Sequence, residues 1–183
     1  SRSTFRMYLT RPISRAQVLI SKVIIVLGYT SILMVFFFLY TLIVSTIWLG
    51  TGELAVFHKG ILFLSNDQVT IRFIIAFFIA NCVMLTISLL CLLISTISKN
   101  SVTPIIITIS IVFIGTAITY IPIEIFKKIN PYLFTGYINS FLKAFHDPIP
   151  WSHIASLFSI CFIWSSLFIW LSLLFFTKKD ITD

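Results

Sequence analysis

Four long stretches of apolar residues dominate the chain, and none of them contains Asp, Glu, Lys or Arg. They run over residues 23–48, 73–97, 102–123 and 154–176. About 20 apolar residues are enough for a helix to cross the hydrocarbon core of a bilayer. Backbone N–H and C=O groups in lipid must find their partners within the protein. Each stretch is therefore predicted to form a membrane-spanning α-helix.

The composition excludes a water-soluble globule. Of the 183 residues, 58% are hydrophobic and only 10% are charged, whereas a soluble domain is about 25% charged. The strands of a transmembrane β-barrel alternate apolar and polar residues over about 10 positions, and these continuous stretches show no such alternation. The sequence predicts an all-α integral membrane protein, with residues 1–183 forming a single transmembrane domain.

Small residues inside the spans are expected to serve packing. Cys82, Cys91 and Cys161 lack the spacing of a metal site, so they are expected to pack as small apolar residues. Gly28 and Gly115 are predicted to allow close helix contact.

The positions of the basic residues predict the orientation of the spans. The net charge of +7 comes from Lys and Arg between the apolar stretches, where membrane proteins carry them, and it indicates no nucleic-acid partner. One side would hold Arg2, Arg6, Arg11, Arg15, Lys22, Lys99, Lys178 and Lys179, and the other Lys59, Arg72, Lys127, Lys128 and Lys143. The richer side is cytoplasmic by the positive-inside rule. Both ends are therefore predicted to be cytoplasmic, with Trp48, Tyr120 and Trp151 near the outer boundary.

The start of the first membrane helix is marked in the sequence. Pro12 interrupts any helix that runs through the N-terminal segment. Ser14 and Gln17 follow with the spacing of a capping box, in which each side chain bonds the backbone amide of the other residue. A helix is therefore predicted to start at Ser14 and to run into the first span.

The segment ahead of Pro12 is amphipathic. Phe5, Tyr8 and Leu9 share one helical face, while Arg2 and Arg6 lie mainly on a different face. Such a helix can anchor itself on an anionic lipid surface. It can equally dock a cytoplasmic partner that drives the membrane helices, and the pattern alone leaves both interpretations open.

This segment also resembles the cytoplasmic signature of bacterial ABC exporter permeases, in the type-2 class that includes bacitracin- and sodium-exporter-like subunits. That signature is an acidic residue, Gly-Thr, a few mostly apolar positions, Pro-Val/Ile-Ser-Arg, and a Lys at the head of a membrane helix. The residues that match in order are Thr4, Leu9, Pro12, Ile13, Ser14, Arg15 and Lys22. Ser3 stands where the signature has Gly, and the acidic residue has no counterpart. The ending also fits the family, through Phe176, Lys178, Lys179, Asp180 and Ile181.

The resemblance implies a permease subunit of an ATP-driven exporter in the bacterial cytoplasmic membrane. Residues 1–15 would form a cytoplasmic coupling segment, with a short amphipathic coupling helix, on a separate ABC ATPase, which would bind ATP and Mg. The coupling residues would be Thr4, Phe5, Arg6, Tyr8, Leu9, Arg11, Pro12, Ser14 and Arg15. Two further spans would precede the chain, and the subunit would pair with a second copy or a paralogous permease.

The chain itself is not expected to be an enzyme. It has no G-x-x-x-x-G-K-[ST] phosphate loop, so it is not expected to bind ATP in the usual way. The alternative to an exporter subunit is a non-transporting four-span membrane protein, such as an assembly or immunity factor.

Polar side chains within the second span are candidates for a substrate path. They are Asn81, Thr86 and Ser88, of which Asn81 is the most polar. They are expected either to form hydrogen bonds between helices or to line a path for an amphipathic or lipid-like substrate. Arg72 lies near the start of this span and is expected to snorkel toward water.

Two segments between spans have local patterns of their own. Residues 50–68 are predicted to be an interfacial loop or a short helix. The extracellular segment 124–151 is predicted to hold an amphipathic helix before the last span, acting as a cap or as an outer gate. Its apolar face would hold Tyr137, Ile138, Phe141, Leu142 and Phe145, with Asn139, Ser140, Lys143 and His146 off that face.

Overall fold

The computed structural model describes residues 14–50, 52, 54–57 and 61–178. Four of its helices are long and apolar enough to cross a membrane. They are α1 (Arg15–Leu49), α2 (Asn66–Ile97), α3 (Thr103–Tyr120) and α5 (Trp151–Lys178), with a short helix α4 (Glu124–Ile129) between the last two. The predicted class, an integral membrane protein of four membrane-spanning helices, is confirmed.

Helix α1 begins at the predicted capping box. The N–H of Gln17 donates to Ser14 Oγ at 3.3 Å, and the N–H of Ser14 donates to Gln17 Oε1 at 3.0 Å. The helix continues for 35 residues, which is about 52 Å at 1.5 Å per residue. Since the hydrocarbon core is about 30 Å thick, α1 extends beyond it.

Helix α2 lies at the centre of the bundle. It packs against α1, α3 and α5, and it supplies much of the core through Ala76, Ile79, Val83, Leu89, Leu90, Leu92 and Leu93. Helix α1 fully buries only Leu19 and Val23 among its described hydrophobic side chains. Val26 and Leu27 also pack against the core, and the exposed remainder of its surface is available to lipid or to another subunit.

Helix α3 ends earlier than the apolar stretch from which it was predicted. It begins at Thr103 with Pro104 in its first turn, where the missing N–H has no intrahelical partner to lose. It ends at Tyr120 because Ile121 precedes Pro122, and a residue before proline is pushed out of the α region. Ile121 accordingly has φ −82° and ψ 121°.

A β-hairpin follows α1. Strands β1 (Leu54–Phe57) and β2 (Ile61–Leu64) pair antiparallel, with Leu54 opposite Leu64 and Phe57 opposite Ile61. The prediction of an interfacial loop or short helix here was wrong. A run of four apolar residues is too short to reveal a period, and the β-branched and aromatic residues in it favour a strand.

The segment before α5 is helical but of the 3₁₀ type. A short 3₁₀ turn (Asn130–Tyr132) leads into a long 3₁₀ helix (Phe134–Phe145). This long 3₁₀ helix packs on α2, α3 and α5. As predicted, Tyr137, Ile138, Phe141 and Phe145 belong to or pack against the core.

Two residues of the predicted amphipathic pattern were assigned wrongly. Ser140 was expected off the apolar face and is buried, whereas Leu142 was expected on that face and is 54% exposed. A 3₁₀ helix has three residues per turn rather than 3.6. Ser140 therefore stands in register with Phe134 and Tyr137, which are both buried.

Candidate functional site

The first candidate site is the end of the bundle at which residues 1–15 lead into α1. Thr4, Phe5, Arg6, Tyr8, Leu9, Arg11 and Pro12 lie outside the described residues. Ser14 is the N-cap of α1 and Arg15 its first residue, although the side chain of Arg15 also lies outside the description. The two capping bonds satisfy the backbone N–H groups of Ser14 and Gln17 at the start of the helix.

This end of α1 is held against α5. Lys22 Nζ lies 5.5 Å from the ring centroid of Phe176, within the range of a cation–π interaction. Leu19 and Val23, close to Lys22, are buried. The first turns of α1 are therefore in contact with the end of the last span.

The predicted path residues have different surroundings. Thr86 is fully buried and its Oγ1 lies 3.2 Å from Ser165 Oγ on α5, so it forms an interhelical hydrogen bond. Ser88 donates to Leu85 O at 2.8 Å within its own helix. Asn81 Oδ1 is buried with no hydrogen-bond partner in the part of the chain that the structure describes.

A groove of about 600 Å³ opens between α1, α2 and α5. Its walls are mainly apolar, with Leu27 from α1, Leu85 from α2 and Phe162 from α5. Ser159 and Ser166 add hydroxyl groups from α5. This size and this mixture of many apolar groups with a few polar ones are typical of a ligand-binding pocket.

Neither Asn81 nor Ser88 lines this groove, and Thr86 reaches it only through its bond to Ser165. The serines of α5 were missed, although the sequence holds a signal for them. Ser159 and Ser166 stand seven residues apart, a spacing that places both on one helical face.

The opposite end of the bundle is organised by Arg72. Its side chain is buried, so the predicted snorkelling toward water was wrong. Arg72 Nη1 donates to His146 O at 2.6 Å and to Ala144 O at 3.5 Å, and Nη2 lies 3.3 Å from Asp147 Oδ1. These contacts hold the C-terminal end of the long 3₁₀ helix against α2.

A second, more polar pocket of about 370 Å³ lies between the long 3₁₀ helix and the ends of α3 and α5. Lys143 Nζ is 2.6 Å from His153 Nε2, and Asn139 Nδ2 donates to the Tyr120 hydroxyl at 2.8 Å. Burial lowers the pKa of Lys143 below its usual value. Among the described residues, no three His, Cys, Asp or Glu side chains converge as metal ligands would.

A model of the ABC-2 family transporter proteins matches residues 1–115 of the chain. The chain belongs to this ABC-2 family. No curated protein and no solved structure matches it significantly. The matched part of this ABC-2 transporter includes the predicted coupling segment, α1, α2 and most of α3.

Membership confirms the resemblance to ABC permeases. The ABC-2 transporter is a multi-pass membrane protein, and its family is the membrane component rather than the ATPase, so an ABC ATPase subunit is implied as its partner. The resemblance of the C-terminal tail lies beyond the matched residues and stays a prediction.

Proposed function

We propose that this chain is the permease subunit of an ATP-driven exporter in the bacterial cytoplasmic membrane. It docks a separate ABC ATPase through residues 1–15 and carries a substrate outward through the bundle. ATP and Mg²⁺ bind to the ATPase, and the chain itself contributes movement rather than hydrolysis. The observation that carries the proposal is the family match, which includes residues 1–15.

The capped start of α1 supports the coupling role. ATPase movement can drive transport only if the ATPase binds the two permease states with different affinity. The docking segment must therefore be joined firmly to a membrane helix. The capping box of Ser14 and Gln17 supplies that junction, and the contact of Lys22 with Phe176 extends it to α5.

The groove between α1, α2 and α5 supports an amphipathic substrate. Apolar walls accommodate a lipid-like or aromatic portion, while the hydroxyls of Ser159 and Ser166 can bond a polar portion. The groove lies beside α1, the helix that begins at the coupling segment. A tilt of α1 would change its width.

The basic residues support cytoplasmic chain ends. Arg15, Lys22, Lys99 and Lys178 all fall at one end of the four helices, the end that the positive-inside rule places in the cytoplasm. The exposed apolar surface of α1 supports pairing with a second copy or a paralogous permease.

Affinity purification of the full-length protein in mild detergent tests the ATPase partnership. We expect a stoichiometric ATPase in the eluate, and we expect Arg11→Glu to weaken its binding by about tenfold or more, because a charge reversal within a docked interface costs at least about 1.4 kcal/mol. ATPase activity of the eluate is the readout.

Lys128→Glu is the matched control, since it reverses an exposed basic charge on α4. It should leave the ATPase bound. Loss of the ATPase in both variants would mean that net charge rather than the coupling segment is responsible. A folded wild-type protein that purifies without any ATPase would favour the non-transporting alternative.

A further inference from the structure

The polar pocket beside the long 3₁₀ helix is separate from the groove described above. Its walls include Thr119 and Tyr120 from the end of α3, Asn139, Ser140 and Lys143 from the long 3₁₀ helix, and His153 from the first turn of α5. With Asn130 and Pro131 of the short 3₁₀ turn, four elements thus converge on a volume of about 370 Å³. No side chain in these walls is acidic.

Lys143 brings a positive charge into this pocket without a neighbouring carboxylate. It is half-buried, and its Nζ lies 2.6 Å from the imidazole Nε2 of His153. Asp147, the acidic residue just beyond the long 3₁₀ helix, is paired with Arg72 instead. Burial lowers the pKa of Lys143, and no carboxylate in the pocket walls offsets the cost of burying its ammonium.

Two further polar groups of the pocket can donate a hydrogen bond. When Lys143 carries its charge, its ammonium donates to His153 Nε2, and the imidazole proton is then on Nδ1. Nδ1 is buried and has no partner within the described residues. The Tyr120 hydroxyl accepts from Asn139 Nδ2, so its own proton is free to donate. Buried polar groups left unpaired in a protein often mark a site for an ion.

We propose that this pocket binds a phosphate-type oxyanion, with the Lys143 ammonium as counter-charge and the Tyr120 and Ser140 hydroxyls as hydrogen-bond donors. Charge-assisted hydrogen bonds from an ammonium to phosphate are among the stronger ones in proteins. The pocket lies at the ends of α3 and α5, and it is lined by Tyr120, which the sequence predicts to lie near the outer membrane boundary. Both a soluble phosphate and the headgroup of an anionic phospholipid can reach that position.

Binding measurements on the full-length protein distinguish the two sources. In mild detergent, inorganic phosphate is titrated by calorimetry. In parallel, the protein is placed in nanodiscs of phosphatidylcholine with or without phosphatidylglycerol, and the retained lipid is counted by native mass spectrometry. We expect Lys143→Gln to weaken the binding of inorganic phosphate or of phosphatidylglycerol by about tenfold. This is the effect of losing one hydrogen bond to a charged group.

Lys128→Gln is the matched control, because it removes the same charge from an exposed position on α4 outside the pocket. Tyr120→Phe keeps the ring, removes one donor, and should weaken binding by about threefold. It provides the same readout if Lys143→Gln fails to fold.

An effect of Lys143→Gln on phosphate titration assigns a soluble oxyanion, and an effect confined to phosphatidylglycerol assigns a lipid headgroup. If neither probe binds the wild-type protein, or if Lys143→Gln and Lys128→Gln behave alike, the proposal is wrong. The measurement needs no ATPase, so this proposal and the exporter proposal can fail independently.

Discussion

Arg72 illustrates how the surroundings of one side chain determine its role. A long basic side chain near the start of a span usually reaches toward water. The Arg72 guanidinium instead contacts groups of the protein. They are the carbonyls of Ala144 and His146 and the carboxylate of Asp147. Those partners are more than 70 positions away in sequence, so no local pattern could have revealed them.

We expect Arg72→Gln to lower the free energy of unfolding by about 2–4 kcal/mol, because it removes hydrogen bonds from a buried charged donor. Thermal unfolding in detergent, followed by circular dichroism, measures this change. Asp147→Asn is the control, since it weakens the ion pair but keeps both carbonyl bonds. With Asp147 56% exposed, its effect should stay below about 1 kcal/mol. Equal losses would mean that the ion pair carries the stability.

At the scale of the elements, Gly115 sets the distance between α3 and the long 3₁₀ helix. A Cβ at this position would lie 2.5 Å from Thr135 Oγ1 and 2.7 Å from Thr135 Cβ. The predicted close contact is therefore confirmed for Gly115, although its partner is the long 3₁₀ helix rather than another span. Gly28 makes no such contact with the described residues, since none of their atoms lies within 4 Å of a Cβ built there.

We expect Gly115→Val to destabilise the protein by at least about 1–3 kcal/mol, the usual cost of overpacking. Gly28→Val, at an open position of α1, should cost little or stabilise slightly, since glycine is a poor helix former. The midpoint of thermal unfolding compares the two. A larger loss from Gly28→Val would instead indicate that α1 packs closely on a second subunit.

The elements also show where sequence reasoning succeeds and where it stops. Apolar stretches and the Ser14 capping box depend on neighbours in sequence, so the spans and the start of α1 could be predicted. The long 3₁₀ helix and the hairpin depend on tertiary packing, which short patterns do not encode. Ser159 and Ser166 of α5 have a spacing that places them on one helical face, but the spacing alone does not indicate a site. The fold shows that both line the groove. The role of residues 1–15 remains a prediction.

At the scale of the whole molecule, the four spans place their connections alternately on two sides. Lys99 and Asn100 lie in the turn between α2 and α3, and Lys127 lies on α4 beyond the other end of α3. If α3 crosses the membrane, these positions face opposite compartments. The charge distribution predicts that the turn is cytoplasmic.

Cysteine labelling tests this topology. In a variant whose native cysteines Cys82, Cys91 and Cys161 are replaced by alanine, we expect Lys127→Cys to react with a membrane-impermeant maleimide added to intact spheroplasts. Asn100→Cys should react only after permeabilisation, because the turn that holds Asn100 is predicted to be cytoplasmic. Asn100 and Lys127 are both exposed, so burial should not limit either reaction. The reverse pattern would invert the orientation. Labelling of both from one side would contradict a membrane-spanning α3.

The long 3₁₀ helix has a mechanical consequence for the bundle. Arg72 fastens it to α2, Thr135 wedges it against Gly115 on α3, and the Lys143–His153 bond ties it to α5. The long 3₁₀ helix thus connects α2, α3 and α5, and we expect these three helices to move as one body at that end. This connection is called the clasp. Helix α1 is outside this clasp and rests on α2 and α5 alone among its main contacts. It is therefore the helix with the most freedom to tilt at that end of the bundle, while its capped start stays in contact with α5 through Lys22 and Phe176.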